Sequence, residues 1–450
     1  MQLNRLALAL ALVAGLAATS RADDPAPSPP PAPADPYGAT PADPYAAPPA
    51  AGNDDVMKEI LEQNAAKPNE TQATTDEPIT GTVRAGAYTD SDKTTVLRVM
   101  GAVGHNFGNW VFNASVDVDS VTSASVDVRS SPGLSKVDTV TSASGRSSTT
   151  GGEMTDTRYQ VTGGAGWKDT SGHALNLTGS AASENDYQSI SGGLNGSYDI
   201  LDRNATLLGG FTLTDNWVSS VLDSTIHRKM VAVGWSGGVA RVLSPDDAIR
   251  VRYDGKDDVG YNSSPYRNVR FGDWTAQLGS QKITFMNTIG SADGLLEKTP
   301  ETRLSHALVG EWVHSLSPGI GLHPELRLSH DSWGVSSLSA GLDLRIARES
   351  WRLQVGYRYY LQSGADFFQD KYTLDPAMYT YYTSDKELGS QNGHLGRLDL
   401  AHVLIGPNNP NDTRLMLNLQ LQAVHYNYPG FVLLPTRDSV FGLVGISLER

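Results

Sequence analysis

Between Leu353 and Leu361 the side chains alternate in kind. Leu353, Val355, Tyr357, Tyr359 and Leu361 share one parity, and Gln354, Arg358, Tyr360 and Gln362 share the other. The pattern returns at Leu415, Leu417, Leu419 and Leu421, set against Met416, Asn418, Gln420 and Gln422. A period of two belongs to the β-strand, whose successive side chains leave opposite faces. A strand with one greasy and one wet, charged face is either half of a sandwich or one stave of a barrel. Here the pattern recurs through roughly the last 370 residues, behind an export signal. It predicts an all-β fold, a transmembrane antiparallel up-and-down β-barrel with lipid outside and water inside.

The composition agrees. Only 39% of residues are apolar, which is low for a helical membrane protein. It suits a barrel, where every second strand residue meets lipid. The chain has no cysteine, which excludes disulfides, thiolate chemistry, zinc–thiolate sites and a lipoprotein anchor. Residues 1–22 read as a signal peptide. Arg5 flanks the apolar stretch Leu6 to Ala18, and Ser20-Arg21-Ala22 offers a small-x-small cleavage site. That stretch is shorter than the ~20 residues a helical span requires.

Residues 23–52 form a Pro/Ala-rich linker with Ala34-Asp-Pro-Tyr37 and Ala42-Asp-Pro-Tyr45, expected to be extended and without a core. A short amphipathic helix is expected over about 54–66, with Asn53 as its cap, Val56, Ile60 and Leu61 as its stripe and Pro68 as its stop. Together with the loose stretch up to 79 it forms a periplasmic segment. Residues 23–77 hold eleven acidic and two basic side chains. The tail is therefore expected to be a disordered acidic tether, with a docking helix for a periplasmic partner as the sharper alternative.

From 80 to 450 the alternating segments are separated by two kinds of connection. Short, turn-rich ones lie at 107–109, 168–172, 201–203, 243–246, 316–319, 347–349 and 406–410. They interleave with connections that are often longer, at 120–155, 216–226, 257–301, 363–393 and 427–437. Short periplasmic turns and longer outer loops are the habit of outer-membrane barrels. Seven such turns, with both termini on the periplasmic side, predict about sixteen strands. The segment 280–288 is a candidate extra strand, so the range is fourteen to eighteen. Trp110, Trp167, Trp312 and Trp351 fall near short turns, where an interfacial girdle would lie.

Parity also assigns an inner wall. Arg98, Arg250, Arg252, Arg327, Asp343, Arg345, Arg352, Arg358, Arg397, Asp399 and Arg414 fall on the face opposite the apolar residues. A charge in lipid near the midplane costs ~2–4 kcal/mol, so these side chains are expected to line the pore. The expectation is a wall richer in arginine than in carboxylate. It serves either as a water-filled passage for anions and sugars or as a ladder of ion pairs filling the barrel. About sixteen strands make a ring too wide for side chains alone to fill.

Several segments carry a family likeness. They are Val116 to Ser125, Ser183 to Ser189, Gly260 to Arg267, Glu297 to Arg303, His330-Asp-Ser-Trp-Gly334, Tyr357 to Phe368 and Tyr382-Thr-Ser-Asp385. In this order the chain resembles a bacterial outer-membrane family known as domain of unknown function 3570, over about 80–450. The resemblance implies an outer-membrane location and carries no activity or catalytic residue. Nearly all of these motifs fall at the external end. They nominate a loop platform of Asp119, Glu184, Asp186, Tyr187, Tyr266, Arg267, Glu301, Arg303, Asp331, Trp333 and Asp385. The segment Asp119 to Ser125 recurs as Asp138 to Ser144.

Other chemistry finds little support. The carboxylates at the mouth match no defined calcium loop, and no metal site is assigned. His330 and Asp331 would leave a strand on opposite faces, which argues against a catalytic dyad. Gly234-Trp-Ser-Gly-Gly238 has the letters of a nucleophile elbow inside a strand-like run, without the required helix. No catalytic residues and no cofactor are expected. The reading is a porin-like channel in the outer membrane of a Gram-negative bacterium, for small polar or anionic solutes or for polysaccharide export. The alternative is a non-transporting barrel acting as a structural, adhesive or receptor scaffold; an outer-membrane enzyme ranks third. The expected partners are outer-membrane lipid, the barrel-assembly machinery and a periplasmic protein met by the tail, with no nucleic acid.

Overall fold

The computed structural model describes residues 79–123, 154–220, 223–272, 275–278, 281–284, 288–289, 295–406, 413–431 and 434–449. The signal segment, the Pro/Ala linker, the helix expected at 54–66, the repeat at 138–144 and most of the 406–410 turn lie outside them.

Sixteen antiparallel strands close into one barrel. In chain order they are β1 (Thr80–Asp90), β2 (Thr94–Phe107), β3 (Trp110–Ser123), β4 (Met154–Lys168), β5 (Ala174–Ser183), β6 (Tyr187–Ile200), β7 (Ala205–Ser219) and β8 (His227–Ser244). Then follow β9 (Asp247–Gly260), β10 (Thr302–Ser317), β11 (Ile320–Asp331), β12 (Ser336–Ala347), β13 (Trp351–Gln362), β14 (Gln391–Ile405), β15 (Arg414–Asn427) and β16 (Thr436–Glu449). Each pairs with its neighbour in sequence. The ring closes where β1 meets β16, from Thr80 opposite Glu449 to Asp90 opposite Ser439. Closure pairs the backbone all the way round and leaves no edge, the condition for crossing a membrane with strands.

The candidate strand at 280–288 is not a stave. Gln281–Thr284 pairs with Thr275–Leu278 as a small hairpin within the β9–β10 loop. The count is therefore sixteen. Phe271–Gly272 pairs with Thr288–Ile289, and Asn268–Val269 with Leu295–Leu296, so this loop is a ribbon standing on the barrel rim. At the opposite end the turns are tight. Gly108 and Gly319 hold φ of 56° and 75°, a left-handed conformation that glycine adopts without penalty.

The outward parity is apolar and open. Leu97, Leu177, Ile190, Leu213, Leu308, Leu342, Val355, Leu421, Val444 and Ile446 are all exposed. An apolar face continuous around a closed sheet is suited to hydrocarbon rather than to water. Trp110 lies directly opposite Trp167 on β3 and β4. Trp312 donates through Nε1 to Asp247 at 2.9 Å, and Trp351 stacks on His402 with ring centroids 3.7 Å apart. All four tryptophans are outward-facing, exposed and near the short-turn end. An indole there keeps its ring in the apolar layer and its N–H at the polar boundary.

Candidate functional site: the lumen wall and the outer mouth

Cross-strand partners share a face, so the register fixes what points inward. One row runs Asn113, Gly164, Thr178, Gly193, Thr212, Gly234, each directly opposite the next, from β3 to β8. Glycine alternates with a short polar side chain. Each polar group lies flat over the neighbouring glycine. A Cβ on Gly164 would meet Asn113 Oδ1, one on Gly193 would meet Thr178 Oγ1, and one on Gly234 would meet Thr212 Oγ1. This row of the wall is thin and uncharged. Thr178, Ser180, Ser191, Asn195, Thr212, Thr214 and Ser236 are half-buried, so water reaches them from within. A lumen filled by side chains would bury them.

The arc from β9 to β14 is different, because it carries the long charged residues. By register, Arg98, Arg250, Arg252, Arg327, Asp343, Arg345, Arg352, Arg358, Arg397, Asp399 and Arg414 all lie on the inward parity. Inward carboxylates lie beside many of these arginines. Arg250 is clamped to Glu311, with both side chains almost fully buried (4% and 5% exposed). Asp254 takes Arg252 at 2.9 Å and Arg327 at 3.1 Å. Arg98 meets Asp117 and Asp119, Arg397 meets Asp399, and Arg414 lies 3.8 Å from Glu449. Parity shows which way an arginine points; it does not show that the adjacent strand places an acid beside it.

At the outer end the loops pack on each other. Phe271, Val269 and Tyr372 form a buried cluster with Tyr379 and Tyr382 against it, joining the β9–β10 and β13–β14 loops. Trp333, Val335, Ala365 and Leu388 form a second, and Tyr426, Tyr428 and Phe431 a third on the β15–β16 side. Ion pairs tie these together. Arg267 reaches Glu297 at 3.3 Å and Asp385 at 2.8 Å. Glu297 also accepts from Thr383 Oγ1 at 2.7 Å. Burial raises the Glu297 carboxyl above its ordinary range against the pull of Arg267. Asp385 caps the 3-10 turn Lys386–Leu388, accepting from the Glu387 amide. Arg437 on β16 lies 3.3 Å from Glu387.

The nominated platform residues divide among these contacts. Arg303 pairs with Asp331 at 2.8 Å and lies 4.1 Å over the Trp333 ring. His330 faces outward to Ser336, away from Asp331. Tyr266 donates its hydroxyl to Asp186, so the β9–β10 loop leans across to the β5–β6 turn. Glu184 in that turn lies 3.7 Å from Arg158 and close to Asp156 and Asp186. Burial pushes its carboxyl up to about 7, with Arg158 opposing. Tyr187 donates to Asn216 on β7. Asp119 belongs to the inner wall beside Arg98 rather than to a loop, and Glu301 is exposed and stands apart from the network. Asp156, Arg158, Asp254, Glu297, Glu387 and Arg437 were not nominated. Asp156 and Arg158 share one parity in β4, but the predicted 120–155 loop ran into the start of that strand. Glu297 opens one of the family motifs.

The family model described as "Protein of unknown function (DUF3570)" matches residues 57–234 and 227–406. The chain belongs to this family. The match begins inside the segment before β1 and ends before β15, whereas the motifs suggested 80–450; the Pro/Ala linker lies outside it. No curated protein matches the chain. Among solved structures, the chain resembles a "Bacterial polysaccharide outer membrane secretin" at 10% identity and a TM-score of 0.42, covering 82% of this chain and 98% of that one. It also resembles the "CymD monoaromatic hydrocarbon channel" (7%, TM-score 0.38, 88% and 91% covered). The siderophore receptor PirA from Acinetobacter baumannii is a third (12%, TM-score 0.38, 79% and 54% covered). The likeness at this level is one of barrel shape, and no cargo follows from it.

Proposed function

We propose that this DUF3570 chain forms an aqueous channel for small polar solutes in the outer membrane of a Gram-negative bacterium. The observation that supports it is the wetted inner face of β5 to β8, where glycines and flattened Thr and Asn side chains leave the lumen hollow. A ring of sixteen strands encloses more space than the β9–β14 arginines fill. The barrel-assembly machinery inserts it, and the acidic residues 23–79 reach toward a periplasmic partner. Export of a polysaccharide would use the same wall. The packed aromatic clusters at the mouth favour a second reading, a barrel closed outside that serves as a receptor or scaffold. Liposome swelling with neutral sugars graded by size separates the two. Swelling that falls with sugar size supports a channel, and no swelling with a correctly inserted barrel supports the scaffold.

A further inference from the structure

The channel reading does not by itself say which inward charges a solute meets; the inference here rests on that reading and sorts them. Most of the arginines are engaged. Arg250 is buried with Glu311, and Arg252 and Arg327 share Asp254 at 2.9 and 3.1 Å with side chains 18% and 15% exposed. Arg345 on β12 and Arg358 on β13 differ, with side chains 42% and 36% exposed. Their carboxylate neighbours lie beyond hydrogen-bond reach, Asp343 at 4.0 Å and Glu325 at 3.7 Å. A guanidinium carries five N–H donors in a planar fork. Arg345 turns one toward His323 Nδ1 at 2.8 Å, and much of the rest of its side chain stays open. These two side chains therefore hold donors toward the water of the lumen.

The far wall is complementary. Half-way round the sixteen-strand ring from β12 and β13 lie β4 and β5, whose inward side is Thr162, Gly164, Thr178 and Ser180. At mid-height it offers hydroxyls; its charge lies nearer the mouth, where Arg158 on β4 stands 3.7 Å from a buried Glu184. Of the acids nearer the mouth there, Asp117 and Glu184 are withdrawn from solvent, with side chains 10% and 1% exposed, and Asp119 is paired with Arg98. We propose that Arg345 and Arg358 are the selectivity pair of the channel, and that its preferred solutes are small carboxylates. The guanidinium forks receive the carboxylate, and the hydroxyl row across the lumen sets no acid against it.

The test is the reversal potential of the refolded chain in a planar bilayer under a potassium chloride gradient, repeated with potassium glucuronate. The wild type is expected to favour chloride over potassium and to show glucuronate-induced current interruptions. Arg345→Gln/Arg358→Gln is expected to bring the chloride-to-potassium permeability ratio to unity or below, with conductance retained and the interruptions lost. Arg345→Lys/Arg358→Lys keeps the charge without the fork. It is expected to hold the ion preference and lose the interruptions, and it guards against a Gln variant that fails to insert. Conducting variants with unchanged selectivity and block overturn this inference and leave the channel standing. An inserted wild type that never conducts overturns the channel, and the inference with it.

Discussion

Two arginines on one wall are expected to behave in opposite ways when neutralised. Arg250→Met keeps the aliphatic stem and removes the charge, leaving Glu311 buried beside His323, whose Nε2 is 3.7 Å away. Removing one partner of a buried ion pair costs about 3–5 kcal/mol, because the remaining charge has lost both water and its counter-ion. Arg358→Met removes a side chain 36% exposed and 3.7 Å from a Glu325 that is itself 25% exposed. Pairs of that kind contribute ~0–1 kcal/mol. The gap between the two variants is thus on the order of 3 kcal/mol. Arg250→Met/Glu311→Leu removes both charges and is expected to lie far closer to wild type than the single variant, since a buried pair can be replaced by apolar residues at little cost. The assay is equilibrium urea unfolding of the barrel refolded into lipid vesicles. Tryptophan fluorescence reports it, because Trp110, Trp167, Trp312 and Trp351 face outward at the short-turn end. Equal midpoint shifts for Arg250→Met and Arg358→Met, at equal slope, would refute the division of the wall into locked and open arginines.

Further outcomes follow from the mouth and the thin wall. Glu184 holds its proton to about pH 7 against an ordinary value of 4.5, chiefly because it is buried. The folded turn binds that proton more tightly than the open one. Its contribution to stability is full below about pH 4.5 and is lost as pH rises through 7, by up to about 3 kcal/mol at 1.36 kcal/mol per pKa unit. Amide exchange in the β5–β6 turn, corrected for intrinsic rate, should therefore show easier opening at pH 8 than at pH 5, and Glu184→Gln should flatten the difference. Gly234→Ala would drive the Thr212 hydroxyl off the wall and lower single-channel conductance, whereas Gly237→Ala meets open space and should change nothing. Tyr372→Ala removes the ring that packs on Phe271, 5.3 Å between centroids. It should make the β9–β10 and β13–β14 loops more sensitive to protease without shifting the unfolding midpoint of the barrel.

The barrel was legible because its physics is written in a period of two. Lipid on one face and water on the other forces the alternation that Leu353 to Gln362 displays, and the same rule put every arginine nominated for the pore on the inner parity. The segment 280–288 shows where that rule stops. A short alternating run reads the same whether it pairs with a stave or folds back on Thr275–Leu278, and only the partner decides. The mouth was legible as motifs and illegible as contacts. Tyr266 and Asp186 are far apart in sequence, as are Arg267 and Asp385, and nothing local in either segment names the other. Asp117, Asp254 and Glu311, unlike Asp119 and Asp399, were missed for a related reason. Asp254 acts on Arg327 through cross-strand register, which a single strand read alone does not contain.

The most direct test of the central claim is single-channel recording of the refolded barrel, residues 23–450, in a planar bilayer. A hollow lumen bounded by the Gly–Thr wall predicts discrete conductance steps that grow with salt and shrink in Gly234→Ala. A barrel shown by circular dichroism and heat-modifiable migration to be folded and inserted, yet silent across the full range of voltage, would contradict it.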